Sequence, residues 1–130
     1  MRQDIGSNYT LAVGRAAVST AASTVYSASV DHSLGQTAFF AVDVGVVGAS
    51  GTLDVSLQYS TDNSTWVDDT DTPGNDWAAT QVTATGVTQI NVGNPRARYS
   101  RVKCVVAVAN VLFGVTSLVG PLRSNPAVDA

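Results

Sequence analysis

The chain has 130 residues, enough for one domain built on one core of ordinary size. Hydrophobic residues make up 45% and charged residues 13%, about half the usual charged share, which excludes a disordered chain and a charge-laced helical one. The net charge of -3 gives no long-range attraction to phosphate groups, so nucleic acid is not an expected partner.

The internal bias is sharper. There are 21 Val and 14 Thr against 7 Leu, one Lys and no Glu, so β-branched residues stand where a helical bundle would need good helix formers. All ten acidic side chains are Asp, which bonds to nearby backbone and gathers in turns. Cys104 is the single cysteine and cannot close an intrachain disulfide. The start, Met1-Arg2-Gln3-Asp4-Ile5-Gly6, shows no apolar run after a basic residue, so no signal peptide is expected. No apolar run reaches membrane-spanning length, and a membrane is not an expected partner.

Residues 1–24 are rich in Ala, Ser, Thr and Gly and read as an N-terminal arm or loosely held edge. Tyr26, Ala28 and Val30 then alternate with Ser27, Ser29 and Asp31 at the period of a half-buried strand. In 39–46 one parity holds Phe40, Val42, Val44 and Val46, the expected core face, and the other holds Phe39, Ala41, Asp43 and Gly45. After Gly48-Ala49-Ser50-Gly51, the run 52–60 alternates without error, with Leu53, Val55, Leu57 and Tyr59 on the core side. Thr61-Asp62-Asn63-Ser64 supplies turn chemistry before Thr65-Trp66-Val67 resumes extended structure, so a hairpin is expected. The stretch 68–76 is a loop by composition and holds four Asp residues beside Pro73-Gly74. Residues 81–92 place Val82, Ala84, Ile90 and Val92 on one parity, with Gly86 suggesting a bulge or bend. The run 98–108 sets Ser100, Val102, Cys104, Val106 and Val108 on one side, and 111–119 is the last strand. Two prolines in the tail, Pro121 and Pro126, limit any further ladder.

Seven or eight short strands divided by turn signals predict an all-β fold, an antiparallel β-sandwich of jelly-roll or immunoglobulin-like type with extended termini. A closed barrel is the alternative. The expected division is an arm or edge segment over 1–24, the sandwich over 25–119 and a tail over 120–130.

No catalytic set emerges. His32 is the single histidine, and strand alternation turns its neighbours Asp31 and Ser33 to the opposite face, so a Ser-His-Asp arrangement is not expected and His32 reads as a partly exposed strand-end residue. Cys104 shares a face with Val102 and Val106 and reads as a small apolar filler. Asp68, Asp69, Asp71 and Asp76 do not follow the spacing of a calcium loop and read as a solvated acidic loop. One histidine and one cysteine give zinc no ligand set. Neither a metal nor a cofactor is expected.

Two groups remain as interaction candidates. Arg96, Arg98, Arg101 and Lys103 form a cationic strip suited either to an acidic partner surface or to guarding an edge strand against mispairing. Trp66, Trp77 and Tyr59 could present aromatic rings to a sugar, with Trp77, just after the loop, the best exposed candidate and Tyr59 more at home in the core.

The stretch 53–67, Leu53-Asp54-Val55-Ser56-Leu57-Gln58-Tyr59-Ser60-Thr61-Asp62-Asn63-Ser64-Thr65-Trp66-Val67, resembles the strand-turn-strand hairpin of β-sandwich structural proteins of tailed bacteriophages. Arg98-Tyr99-Ser100-Arg101-Val102, the Val-rich final hairpin and the tail Gly120-Pro121-Leu122-Arg123-Ser124-Asn125-Pro126 are similar to small phage capsid decoration, or cement, proteins. The resemblance implies a non-enzymatic virion protein on the outside of an icosahedral capsid, a dimer or trimer that clamps neighbouring capsomers and is assembled in the host cytoplasm. Its partner would be the major capsid protein, and Arg123 in the tail joins the contact residues. The alternative is a carbohydrate-binding or tail-associated adhesion module.

Overall fold

The computed structural model of the chain describes residues 10–33, 35–70, 72–76 and 78–122. Those residues form ten strands and no helix: β1 (Thr10–Thr20), β2 (Ser23–Tyr26), β3 (Val30–Asp31), β4 (Gly35–Val47), β5 (Thr52–Ser60), β6 (Val67–Asp68), β7 (Ala78–Val82), β8 (Gly86–Val92), β9 (Tyr99–Ala107) and β10 (Val111–Leu122). One sheet runs β1-β10-β4-β8. The other runs β2-β9-β5-β6, with β3 also on β9 and β7 also on β5. Every pairing is antiparallel, and the two sheets pack face to face as a β-sandwich. The sheets therefore draw on residues 10–122, with Thr10–Thr20 as an edge strand and β10 continuing through Pro121.

The core lies between the sheets and is built from single parities. Leu53, Val55 and Leu57 of β5 stand opposite Val106, Cys104 and Val102 of β9, and all six are buried. From the other sheet come Phe40, Val42 and Val44 of β4, Ile90 and Val92 of β8, and Val111, Phe113, Val115 and Val119 of β10. The period of two and the branched side chains thus meet the demand of two pleated layers with one dry face each.

Four sequence expectations change where the ladders are irregular. Val46, placed on the core parity, is exposed, because the β10–β4 register slips between Leu112 and Phe113 and turns Val47 toward the core instead. The Tyr26–Val30 strand is broken: at Ser27 the side-chain Oγ accepts from the Val102 N–H, Ala28 N–H donates to the Gly14 carbonyl of β1, and Tyr26 and Ala28 face solvent. The 81–92 run is two strands, β7 on one sheet and β8 on the other, with residues 83–85 as the crossing. Val108, expected on the core side, is 73% exposed in the β9–β10 turn.

That turn is tight. Ala109 N–H donates to the Ala107 carbonyl at 2.9 Å and Val108 sits at φ 72°, which is a γ-turn of the strained, positive-φ kind. A β-branched residue is disfavoured there, and its side chain packs on little. Val108→Gly should therefore raise stability by about 0.5 to 1 kcal/mol, the relieved strain exceeding the extra flexibility of glycine in the unfolded chain. A urea midpoint that moves down would show that the turn is unstrained.

Gly114 lets the edge strand lie close. A Cβ there would come within 3.1 Å of Ala17 backbone atoms and of the Arg15 carbonyl oxygen, in the segment where β1 slips register against β10. β1 is thus fitted to β10 at a backbone contact that any larger residue would push apart.

Candidate interaction surfaces

The outer face of the β1-β10-β4-β8 sheet is largely apolar. Reading the register across it, one row holds Leu11, Leu118, Phe39 and Asn91, and the next Val13, Thr116, Ala41 and Gln89. Then come Gly114, Asp43 and Val87, and last Ser19, Leu112 and Val46. Leu11 and Val13 are each 70% exposed, Val87 62% and Val46 58%. Asp43 is the one charged side chain in these rows. Sequence reading missed this face, although its signal was present: the outer parity of β4 and β10 carries Phe39, Ala41, Leu112 and Leu118 with a single charge, Asp43, whereas a solvated outer face would be more polar.

The outer face of the other sheet is polar and aromatic. Arg101 projects from β9, between β2 and β5, and its Nε donates to Gln58 Oε1 at 2.9 Å. Its guanidinium carbon lies 3.8 Å from the Tyr26 ring centre and 4.2 Å from that of Trp66. Burial beside the rings lowers the Arg101 pKa somewhat, but a guanidinium remains charged at any ordinary pH. Gln58 passes the network on, its Nε2 donating to Asp68 Oδ1 at 2.8 Å. Lys103 lies two residues along β9 on the same face, paired with Tyr26 and Ser56.

The four cations do not form one strip. Arg96 stands over the Tyr59 ring at 5.1 Å and lies 3.9 Å from buried Asp69. Arg98 makes a two-pronged pair with Asp31, Nε to Oδ1 at 3.1 Å and Nη2 to Oδ2 at 2.9 Å. Only Arg101 and Lys103 remain on the open sheet face. The edge-guard reading fails, because β9 is an interior strand with β2 and β3 on one side and β5 on the other. Trp77 and Arg123 lie outside the described residues. Tyr59 is half-buried on the inward side of β5, under Arg96, and Trp66 is half-buried against Arg101.

The Arg98–Asp31 pair has a pH signature. The hydrogen bond from Arg98 holds the Asp31 carboxyl well below the usual carboxylate range. A depressed carboxyl contributes stability above its unfolded value of about 4, and that contribution is lost as pH falls toward the lower folded value. With the two side chains 55% and 25% exposed, solvent screening keeps that contribution small. Arg98→Ala should lower stability near neutral pH and make less difference near about pH 2, as compared by urea midpoints. An equal loss at both pH values would show that the charge pair contributes nothing.

The remaining chemistry-bearing residues are buried or bonded within the fold. His32 is buried rather than partly exposed, with Nε2 2.8 Å from Ser100 Oγ. A histidine and a serine thus meet at hydrogen-bond distance, at 5% and 2% exposure respectively. Cys104 is fully buried, and burial pushes its thiol up to about 12, far from the thiolate a nucleophile needs. The acidic loop is not uniformly solvated. Asp69 is buried, accepting from Thr72 N–H and Asn75 Nδ2, and Asp76 accepts from the backbone and side-chain amides of Asn91. Among the described residues no three His, Cys, Asp or Glu side chains come together as a metal site. A cleft of about 230 Å³ opens where β1 meets the 28–31 segment, lined by Ala12, Val13, Val30, Asp31, Ser117 and Val119 among others. Comparison with protein-family models, curated proteins and solved structures finds no match.

Proposed function

We propose that this chain is a non-enzymatic structural protein of a bacteriophage virion, binding the outside of an icosahedral capsid and stabilising contacts between capsomers. The observation that carries the reading is the apolar outer face of the β1-β10-β4-β8 sheet, with Leu11, Val13, Val46 and Val87 in solvent. Such a face in water is the mark of an interaction surface, and in this reading another protein covers it. The resemblance of the 53–67 hairpin and the 98–126 region to decoration proteins supplies the kind of partner, the major capsid protein.

Area bears on the oligomer. Four strands about 4.8 Å apart and four rows about 7 Å apart give a footprint on the order of 500 Å². A standard interface buries about 800 Å² per partner, so one copy would hold weakly. A dimer or trimer on a repeating lattice would convert that weak contact into firm retention by avidity. Undecorated shells mixed with the pure protein should retain it on sedimentation and gain resistance to heat. Neither effect, at protein concentrations well above the number of lattice sites, would sink the reading.

A second reading, a carbohydrate-binding or tail-associated adhesion module, draws on the exposed ring of Tyr26 and on Trp66. Both rings, however, stand against the Arg101 guanidinium, which occupies a face that a sugar would stack on. A glycan array with a hit abolished by Trp66→Ala would favour this second reading over the first.

A further inference from the structure

We propose that the outer face of the β2-β9-β5-β6 sheet holds a carboxylate-binding site, made by Arg101 and Lys103, that docks an extended acidic segment of a partner protein. The inference concerns the face opposite the apolar one and does not depend on what that face binds.

The geometry of Arg101 is that of a prepared receptor. Its Nε is committed to Gln58, and the rings of Tyr26 and Trp66 flank the guanidinium from the β2 and β6 sides, so the plane cannot swing freely. Neither terminal nitrogen bonds to a described residue, and no described carboxylate lies within 4.0 Å of it. Lys103 is likewise without an ion pair among the described residues. Of the other described arginines, Arg96 lies near Asp69 and Arg98 pairs with Asp31, while Arg15, on the other sheet, is held by neutral groups, Thr20 and the Phe113 ring. Arg101, held by Gln58 and two rings, and Lys103 thus share one face with no described carboxylate within 4.0 Å of either.

The free fork of a guanidinium fits the two oxygens of a carboxylate, and its fixed plane removes much of the ordering cost of binding. Lys103 adds a second charge two residues along the same strand, about 7 Å away. An extended segment with acidic residues at alternate positions presents its carboxylates at that same repeat. A polypeptide is favoured over an acidic sugar, because the ring faces turned toward Arg101 are occupied and leave no platform for stacking. Asp68, tied to Gln58, and Asp54, one outward position beyond the Ser56 that pairs with Lys103, are the negative groups on this face that such a ligand must tolerate.

The test is a titration of the isotope-labelled full chain by nuclear magnetic resonance, with an acetylated Thr-Glu-Thr-Glu-Thr peptide and its Gln counterpart. The acidic peptide should give saturable shifts at the Trp66 indole N–H and the Arg101 Nε–H, weakening as salt is added. The Gln peptide should bind at least about tenfold more weakly, since it lacks the charge on which the bidentate contact depends. Arg101→Lys should cost a similar factor, because charge without the planar fork does not replace it. Lys103→Gln, which removes no hydrogen bond, should weaken binding about threefold or more, and Asp68→Asn should tighten it, as expected for charges close to the ligand. If Arg101→Lys disturbs the fold, the Lys103→Gln and Asp68→Asn pair decides by its opposite signs. No saturable shift, equal binding of the two peptides, or shifts confined to the Arg96 and Arg98 end would overturn the proposal. Binding of polygalacturonate with none of the peptide would also overturn it and reassign the site to acidic sugars.

Discussion

Phe113→Ala is expected to destabilise the protein by about 3 to 5 kcal/mol, the largest loss of any single truncation proposed for this core. Phe113 is fully buried on β10, the strand that carries both β1 and β4 in its sheet. Its ring also lies 5.3 Å beneath the Arg15 guanidinium. Removing it opens a void between the sheets and leaves a cation above that void, so a transfer loss, a cavity loss and a desolvation loss add together. A domain with the usual 5 to 15 kcal/mol of stability would lose roughly a third or more of it. The check is urea unfolding, with the midpoint falling at an unchanged slope. A loss under about 1 kcal/mol would mean that the sheets are not packed together at this position.

Charging the apolar sheet face is expected to abolish retention on capsid shells while leaving the fold in place. Val13→Glu with Val46→Lys puts two charges where the native side chains are 70% and 58% exposed, so the isolated protein should change in stability by no more than about 0.5 kcal/mol per site. In a dry contact each unpaired charge costs several kcal/mol, which predicts a loss of about a hundredfold or more in retention. Co-sedimentation of the double variant beside the native protein, with matched thermal melts, reads both quantities. Retention equal to the native level would remove this face from the interface.

The sandwich itself was legible because its best strands obey one rule throughout. In β5 and β9 each inward residue from Leu53 to Leu57 and from Val102 to Val106 is apolar, and the paired strands are regular over those positions. Alternation failed where a ladder slips or ends. Val46 follows a register shift at Gly45, a strand glycine that can mark a bulge but does not fix its register, Val108 has the composition of a strand but occupies a turn, and the 81–92 run crosses between sheets. His32 looked exposed because its neighbours in the chain are polar, whereas its burial comes from β9, 68 positions away through Ser100.

The interaction residues show the same division. The cluster of cations at 96–103 was visible in sequence, but proximity along the chain could not say which charges were already used. Asp31 comes from β3 and Asp69 from the loop after β6, and each answers one arginine at the end of the sandwich. Tyr26 and Gln58, which set the posture of Arg101, belong to strands that only sheet pairing brings beside it.

From the sequence alone came the class of fold, since a β-branched composition, a two-residue period and Asp-rich turns are local properties that each strand carries by itself. Which outer face stays apolar, and which cations lack a counter-charge, was decided by strand order and register. Those are long-range properties: a sheet's surface is written across several strands, and each row on it joins residues tens of positions apart in the chain.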